Sequence, residues 1–243
     1  GDIVPAGALP ARIVRAPAPG AERLTVDTTA AEAVPGVRVV RDGELVAILH
    51  AHRDEADKAL KLVKATYGPA PSTLDNDNIF DHLEKSAPEG RAVAQGGNVA
   101  VGEKGAAHVV TQKYLKGYVA HAPMETHSAV AAMGTDGKIT VWASTQTPFP
   151  LQTQVARALK MSTDKVRVIT PFVGGGFGGK SASQQAIEAA RLTVAAGKPV
   201  RVVWDRTEEF FFDTFDPAAV ITIRAGVDAS HRIVSWDYEV IGA

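Results

Sequence analysis

The segment PFVGGGFGGKSA, residues 171–182, places five glycines around one phenylalanine, between a predicted strand and a predicted helix. Glycine loses more conformational freedom on folding than any other residue, so such a cluster is costly unless the backbone requires it. In this position backbone N–H groups can converge on one point, together with the positive end of the following helix. The segment therefore predicts a backbone cradle for an anionic or oxo-bearing ligand.

The same segment has two other interpretations. Gly174 to Ser181 matches G-x-x-x-x-G-K-[ST], the phosphate loop of nucleoside triphosphatases, and Asp205 after the run VRVVW could then bind magnesium. Against this, Arg201 interrupts that run, and the loop follows a hairpin and a helix, whereas a phosphate loop usually opens its domain. The third interpretation is a purely structural glycine crossing, in a scaffold that keeps its fold without a cofactor.

The composition is that of an ordinary globular protein, with 45% hydrophobic residues and a formal net charge of -1 over 243 residues. Such a charge balance gives no electrostatic reason to expect nucleic acid as a partner. No run approaches the roughly 20 apolar residues of a membrane-spanning helix. The chain contains no cysteine, so it can hold neither a disulfide nor a thiolate-bound iron–sulfur cluster. The residues do not distinguish cytoplasm from periplasm.

Periodicity and turn residues predict an α+β fold. The predicted helices cover 28–36, 53–67, 77–86, 150–160 and 182–196; the predicted strands include 9–16, 22–27, 37–40, 44–51, 165–170, 200–204 and a final hairpin. We expect a small α/β domain over 1–75, a Pro-, Ser- and Asn-rich linker over 76–105, and a second, mixed α+β domain over 106–243. Because the sequence stops inside a predicted strand, we expect it to be a piece of a longer protein.

Three segments in order carry a resemblance to a known family: HAPMETHSAV (121–130), the STQ-containing stretch 141–168, and GGGFGGKSASQQAIEAARL (174–192). Together they resemble the molybdopterin-binding subunit of the molybdenum hydroxylases, the xanthine dehydrogenase and aldehyde oxidase family. Residues 11–61 are similar to the small hammerhead domain that precedes this region in the same family. The resemblance thus implies a hammerhead domain followed by the first part of a molybdopterin-binding domain.

The resemblance also implies site residues. Gln146 would place its side-chain amide on the apical oxo group of molybdenum, and the backbone N–H of Phe177 would donate to an oxo ligand. Gly175, Gly176 and Gly178 would lie against the cofactor, where a side chain would push the metal's ligands away. The metal would be held by the pterin and would have no direct protein ligand. The general-base glutamate of the family is expected beyond the C-terminus, so no catalytic residue is assigned here.

The reaction implied is oxidative hydroxylation of an aldehyde or N-heterocycle, with water as the oxygen source. The cofactor would be molybdenum–molybdopterin, in its plain or cytosine dinucleotide form. Iron–sulfur clusters and FAD or haem would lie on partner subunits or other domains, and the remainder of the same subunit would complete the site. Ser181 stands where xanthine-using members carry a purine-binding glutamate, which argues against xanthine as substrate. We expect this piece alone to be inactive.

Other polar and aromatic residues invite a functional interpretation. His121, Glu125 and His127 are spaced as a strand-borne metal site could be, but we favour a structural role for all three. The run EEFFFD, residues 208–213, could form an aromatic binding patch, and here we favour core packing.

Overall fold

The computed structural model describes residues 3–70 and 72–243. Contacts divide the chain into two units: Gly1–Pro71 with Ala120–Thr214, and Ser72–Val119 with Phe215–Ala243. Each unit contains two separate stretches of sequence, whereas the domains expected over 1–75 and 106–243 are continuous. Those boundaries stay a prediction. None of the helices in the described residues has the length and apolar character of a membrane span.

Both strands and helices run through the whole chain. The strands are β1 (Leu9–Ile13), β2 (Arg23–Asp27), β3 (Arg38–Asp42), β4 (Leu45–Leu49), β5 (Lys64–Tyr67), β6 (His108–Lys116), β7 (Val119–Ala120), β8 (Ser128–Met133), β9 (Ile139–Ala143), β10 (Val166–Ile169), β11 (Val200–Val203), β12 (Phe215–Asp216), β13 (Ala219–Val227) and β14 (Ile233–Gly242). The helices are α1 (Thr29–Glu32), α2 (Arg53–Leu60), α3 (Ile79–Ser86), α4 (Val99–Lys104), α5 (Pro148–Ala158), α6 (Gln184–Ala196) and α7 (Arg206–Phe212).

The first unit is built on a seven-stranded mixed sheet in the order β10-β9-β8-β11-β1-β4-β3. β1 pairs in parallel with β11 and antiparallel with β4, so strands from the first third and from the second half of the chain share one sheet. α6 packs on this sheet, and its buried Ala186, Ala189 and Leu192 belong to the main hydrophobic core. The sheet positions the ends of β9 and β10. Gln146 follows β9, and the glycine loop follows β10.

One sequence-based helix is wrong in its second half. The helix predicted over 53–67 ends at Leu60, and Lys64–Tyr67 instead form β5, which pairs antiparallel with β2. β-branched Thr66 lies opposite Thr25 in this pair, and the two hydroxyl oxygens are 2.6 Å apart. Pairing with a distant strand overrides the helical spacing of the apolar residues.

The second unit is a three-stranded antiparallel sheet in the order β14-β13-β6. α3 lies where the sequence predicts a helix, and its buried Ile79 and Leu83 pack against Val220. α4 was not predicted, and it lies inside the segment expected to be a linker. On the opposite face of β14 the side chains of Trp236 and Tyr238 are both exposed.

Candidate functional site

The glycine loop, residues 174–179, connects β10 to the short 3₁₀ turn that precedes α6. Gly175 and Gly178 have φ of 91° and 113°, which side-chain-bearing residues rarely adopt. A Cβ on Gly176 would lie 2.4 Å from Gln146 Oε1, closer than packing allows. Phe177 itself has a φ of 55°, an uncommon value for a bulky residue, and its side chain is exposed. Both backbone conformation and space therefore require glycine here.

Gln146, three residues after β9, is in direct contact with this loop. Its Oε1 accepts the backbone N–H of Gly178 at 3.0 Å, and its own backbone N–H donates to the Lys180 carbonyl at 2.8 Å. The structure thus brings together all the residues named from the resemblance for cofactor contact. Their role toward a cofactor stays a prediction.

Lys180 does not present its ammonium group to solvent. The residue is fully buried, and Nζ donates to Glu125 Oε2 at 2.9 Å. Asp205, the proposed magnesium ligand of a triphosphatase, caps α7 by accepting the Glu208 N–H and forms an ion pair with Arg12. A phosphate loop needs its lysine directed at the ligand, so the geometry of both residues argues against that interpretation.

The carboxylate of Glu125 contacts the first residue of the glycine loop, Gly174. Burial works against its ionisation, but hydrogen bonds from Lys180 Nζ and from the Gly174 N–H outweigh it and hold the pKa of Glu125 at about 2. Its backbone N–H in turn donates to the Gly174 carbonyl at 3.1 Å. Glu125 is thus ionised at neutral pH and contacts both ends of the loop.

The two histidines near the loop bond partners other than Glu125. His121 Nδ1 lies 2.9 Å from the Thr214 carbonyl oxygen. His127 donates its backbone N–H to Glu209 Oε2 at 2.8 Å, and its Nδ1 lies 3.0 Å from Glu209 Oε1. Because His121, Glu125 and His127 do not converge on one point, these contacts support the structural interpretation of all three.

Glu209 and Asp213 are the functional-site neighbours that sequence reasoning missed. Burial disfavours the charge of Glu209, yet its bonds from His127 hold the pKa of this carboxyl below its usual value. Asp213 lies beneath the loop, since a Cβ on Gly179 would approach its Oδ2 to 2.3 Å. Their spacing of four residues within EEFFFD places them on one face of a helix, which is the signal that the sequence offers. Of these phenylalanines, Phe212 packs on the core, whereas Phe210 and Phe211 are partly exposed.

Within the described residues, one set of candidate metal-ligating atoms lies within 4.8 Å of one another, on His127, Glu209 and Asp213. Both carboxylate oxygens of Glu209 already accept hydrogen bonds from His127. His127 and Glu209 are each 1% exposed. His127 and Glu209 thus form a buried hydrogen-bonded pair, and Asp213 lies between this pair and Gly179 of the loop.

Comparison with known proteins identifies the family. The sequence matches the family described as "Molybdopterin cofactor-binding domain" over residues 83–243, well over half of the chain. Isoquinoline 1-oxidoreductase subunit beta of Brevundimonas diminuta is 27% identical over 98% of this chain and 32% of its own length. The probable hypoxanthine oxidase XdhD of Escherichia coli (strain K12) is 32% identical over 68% of this chain and 19% of its own length. The chain thus spans about a third or less of these relatives.

Solved structures agree with this assignment at the level of the fold. Quinoline 2-oxidoreductase from Pseudomonas putida 86 has a TM-score of 0.78 at 24% identity, covering 98% of this chain and 36% of that chain. This similarity confirms the α+β fold class. The chain belongs to the molybdopterin cofactor-binding family of the molybdenum hydroxylases, as its three motif segments predict.

Proposed function

We propose that this chain forms part of the catalytic subunit of a molybdenum hydroxylase that hydroxylates an aldehyde or N-heterocycle with oxygen from water. The observation that carries the proposal is the contact between the Gln146 amide and the glycine loop at Gly178. This contact joins a side-chain amide and a backbone segment with positive φ values into one polar surface. Neither a solvated loop nor a packing contact requires that combination.

The hydrogen-bond donors of this surface fit an oxo-bearing group. Among the described residues, the N–H groups of Gly176 and Phe177 and the Nε2 of Gln146 have no hydrogen-bond acceptor. Oriented backbone and amide donors are the groups with which proteins hold oxyanions. The glycines leave this surface open to a large ligand, because side chains at these positions would cover the donors.

When bound, the molybdenum cofactor supplies the two-electron redox chemistry of the reaction. In this proposal Gln146 would hold an oxo group of the cofactor through Nε2, and Phe177 would donate to it through its backbone N–H. Gly175, Gly176 and Gly178 allow the backbone to approach the cofactor closely. The metal takes no ligand from this chain, and the pterin is bound in its plain or cytosine dinucleotide form.

Ser181 influences the choice of substrate in this proposal. Its side chain is exposed at the end of the loop, and its carbonyl oxygen accepts the Thr147 hydroxyl at 2.9 Å. Serine has neither the charge nor the length of a glutamate that would hold a purine. Aldehydes and N-heterocycles of the isoquinoline or nicotinate type are therefore the proposed substrates, and xanthine is not.

Further parts of the enzyme are also proposed. The relatives are about three or more times as long as this chain. In this proposal the remainder of the same subunit completes the site and supplies the general-base glutamate, so the 243 residues alone do not turn over substrate. An iron–sulfur subunit receives the electrons and passes them to a flavin- or haem-bearing partner.

Elemental analysis of the protein from its native host, purified with any associated subunits, tests the proposal. We expect near-stoichiometric molybdenum in the wild type and a marked loss in Gln146→Ala. Gln112→Ala, which alters an exposed glutamine of β6, is the matched control and should retain the metal. A folded native preparation that contains no molybdenum would rule the proposal out.

A further inference from the structure

We propose that Glu125 and Lys180 form a positioning pair that closes the glycine loop and presets it for its ligand. The inference concerns the loop itself; only the identity of the ligand rests on the proposed function. Neither residue is assigned to contact the cofactor.

The first observation is that one carboxylate contacts both ends of the loop. Glu125 Oε2 accepts the N–H of Gly174 and the Nζ of Lys180, each at 2.9 Å. The Glu125 N–H donates to the Gly174 carbonyl at 3.1 Å, so Gly174 is bound through both of its backbone polar groups. Residues 175–179 lie between these two fixed ends.

The second observation is the burial of Lys180. A fully buried ammonium group is costly unless an opposite charge compensates it. The Lys180 carbonyl is held as well, since it accepts the Gln146 N–H at 2.8 Å and the Thr145 hydroxyl at 3.3 Å. An opening of the loop at this end would separate a buried charge from its partner.

The third observation is how few hydrogen bonds the enclosed residues make. The Gly178 N–H donates to Gln146 Oε1, and the Gly179 N–H donates to the Gly176 carbonyl at 2.9 Å. The carbonyls of Gly178 and Gly179 accept the N–H groups of Ser181 and Ala182, whereas the N–H groups of 175–177 have no acceptor among the described residues. A glycine-rich segment with so few bonds has a large conformational entropy when its ends are free. The ligand would then have to order the loop, which weakens binding. The positioning pair removes that cost before the ligand arrives.

Hydrogen exchange distinguishes this role from general stabilisation. The protein is purified from its native host, with any partner chains, from cells grown without molybdate, so that no variant is protected by the metal. In Lys180→Met we expect exchange of the loop amides 175–179 to become about tenfold faster, with β4 and α6 unchanged. Lys116→Met, which breaks an ion pair with Asp216 on β12, is the matched control and should leave the loop amides unchanged.

A double variant separates the loss of the ion pair from a failure to fold. Glu125→Gln alone leaves the buried Lys180 without its Glu125 partner, whereas Glu125→Gln with Lys180→Met removes both charges of the pair and keeps an acceptor for the Gly174 N–H. Glu209, whose charge Lys180 also favours, keeps its bonds from His127 in this double variant. We expect this double variant to fold and still to exchange its loop amides faster than wild type. Unchanged loop exchange in both folded variants, or equally faster exchange in β4, would overturn the inference.

Metal content separates this inference from the proposed function. From cells grown with molybdate, we expect the folded double variant to retain at least about tenfold less molybdenum than wild type. Wild-type occupancy in the folded double variant, despite faster loop exchange, would refute the positioning role. Absence of molybdenum from the wild type would remove the proposed function, while the exchange result would still decide whether the pair presets the loop.

Discussion

Gln146 and Gly178 lie 32 positions apart in sequence, yet the side-chain oxygen of Gln146 accepts the Gly178 N–H at 3.0 Å. This bond defines the orientation of the amide, because of its two polar atoms only the oxygen can accept a hydrogen bond. The Nε2 group is left as a donor. The same contact holds the segment that follows β9 against the glycine loop. A substitution in either of these two segments should therefore disturb the other.

Gly176→Ala tests that coupling from the loop side. The added Cβ would lie 2.4 Å from Gln146 Oε1 and would displace the amide. We expect molybdenum content to fall by at least about tenfold, while the free energy of unfolding falls by only about 1 kcal/mol, because Gly176 is buried but its new Cβ meets the end of a flexible side chain. Metal analysis and urea unfolding of the native-host protein measure the two effects.

The control for this change is Gly117→Ala, because a Cβ at Gly117 meets no atom within 4 Å and Gly117 does not have a positive φ. It should leave both quantities unchanged. If Gly176→Ala retained wild-type molybdenum, the close contact between Gly176 and Gln146 would have no bearing on cofactor binding.

The pKa of Glu125 predicts how stability depends on pH. The folded-state pKa of about 2 lies below the ordinary value of 4.5, so the ionised carboxylate stabilises the fold above pH 4.5. This contribution is lost as the pH falls from 4.5 toward 2. We expect the difference in unfolding free energy between wild type and Glu125→Gln to narrow over this window, as measured by urea unfolding. Glu89→Gln, at an exposed position, serves as the control; a difference independent of pH would contradict the prediction.

The sequence predicted which residues lie together at the glycine loop better than it predicted the elements around them, and the role of these residues toward a cofactor stays a prediction. Glycines 175, 176 and 178 and the amide of Gln146 belong to motifs whose residue types are imposed by backbone conformation and space, so short segments suffice to identify them. β5 was missed because its strand character comes from pairing with β2, about 40 residues away, which local periodicity does not detect.

For a similar reason, the sequence does not predict that Glu209 and Asp213 lie next to the loop. Glu209 and Asp213 lie on or next to the short helix α7, and their sequence neighbours are phenylalanines. What makes them part of the site is the burial of His127 and the close approach of Gly179, both of which arise only in the folded chain. Lys180 likewise fits a phosphate loop in sequence, but in the folded chain it is buried and does not face a ligand.

The protein should therefore not bind nucleotide at the glycine loop. Lys180 is fully buried on Glu125, and exposing it to a phosphate would break its hydrogen bond with that carboxylate. In equilibrium dialysis with labelled ATP and magnesium, we expect wild type and Lys180→Met to give the same result, with no saturable binding in either. Saturable binding lost in that variant would instead favour the triphosphatase interpretation.

Glu209→Ala should be among the most destabilising single changes near the site. It removes both acceptors of His127 and leaves two buried N–H groups unpaired, in a region where His127 is 1% exposed. We expect a loss of about 3 kcal/mol in the free energy of unfolding, and a smaller loss in Glu209→Gln, which keeps one acceptor. Glu239→Ala, at an exposed position of β14, should change the same quantity by less than about 0.5 kcal/mol. Urea unfolding at neutral pH measures all three variants, and equal effects of Glu209→Ala and Glu239→Ala would mean that the His127–Glu209 pair does not support the loop.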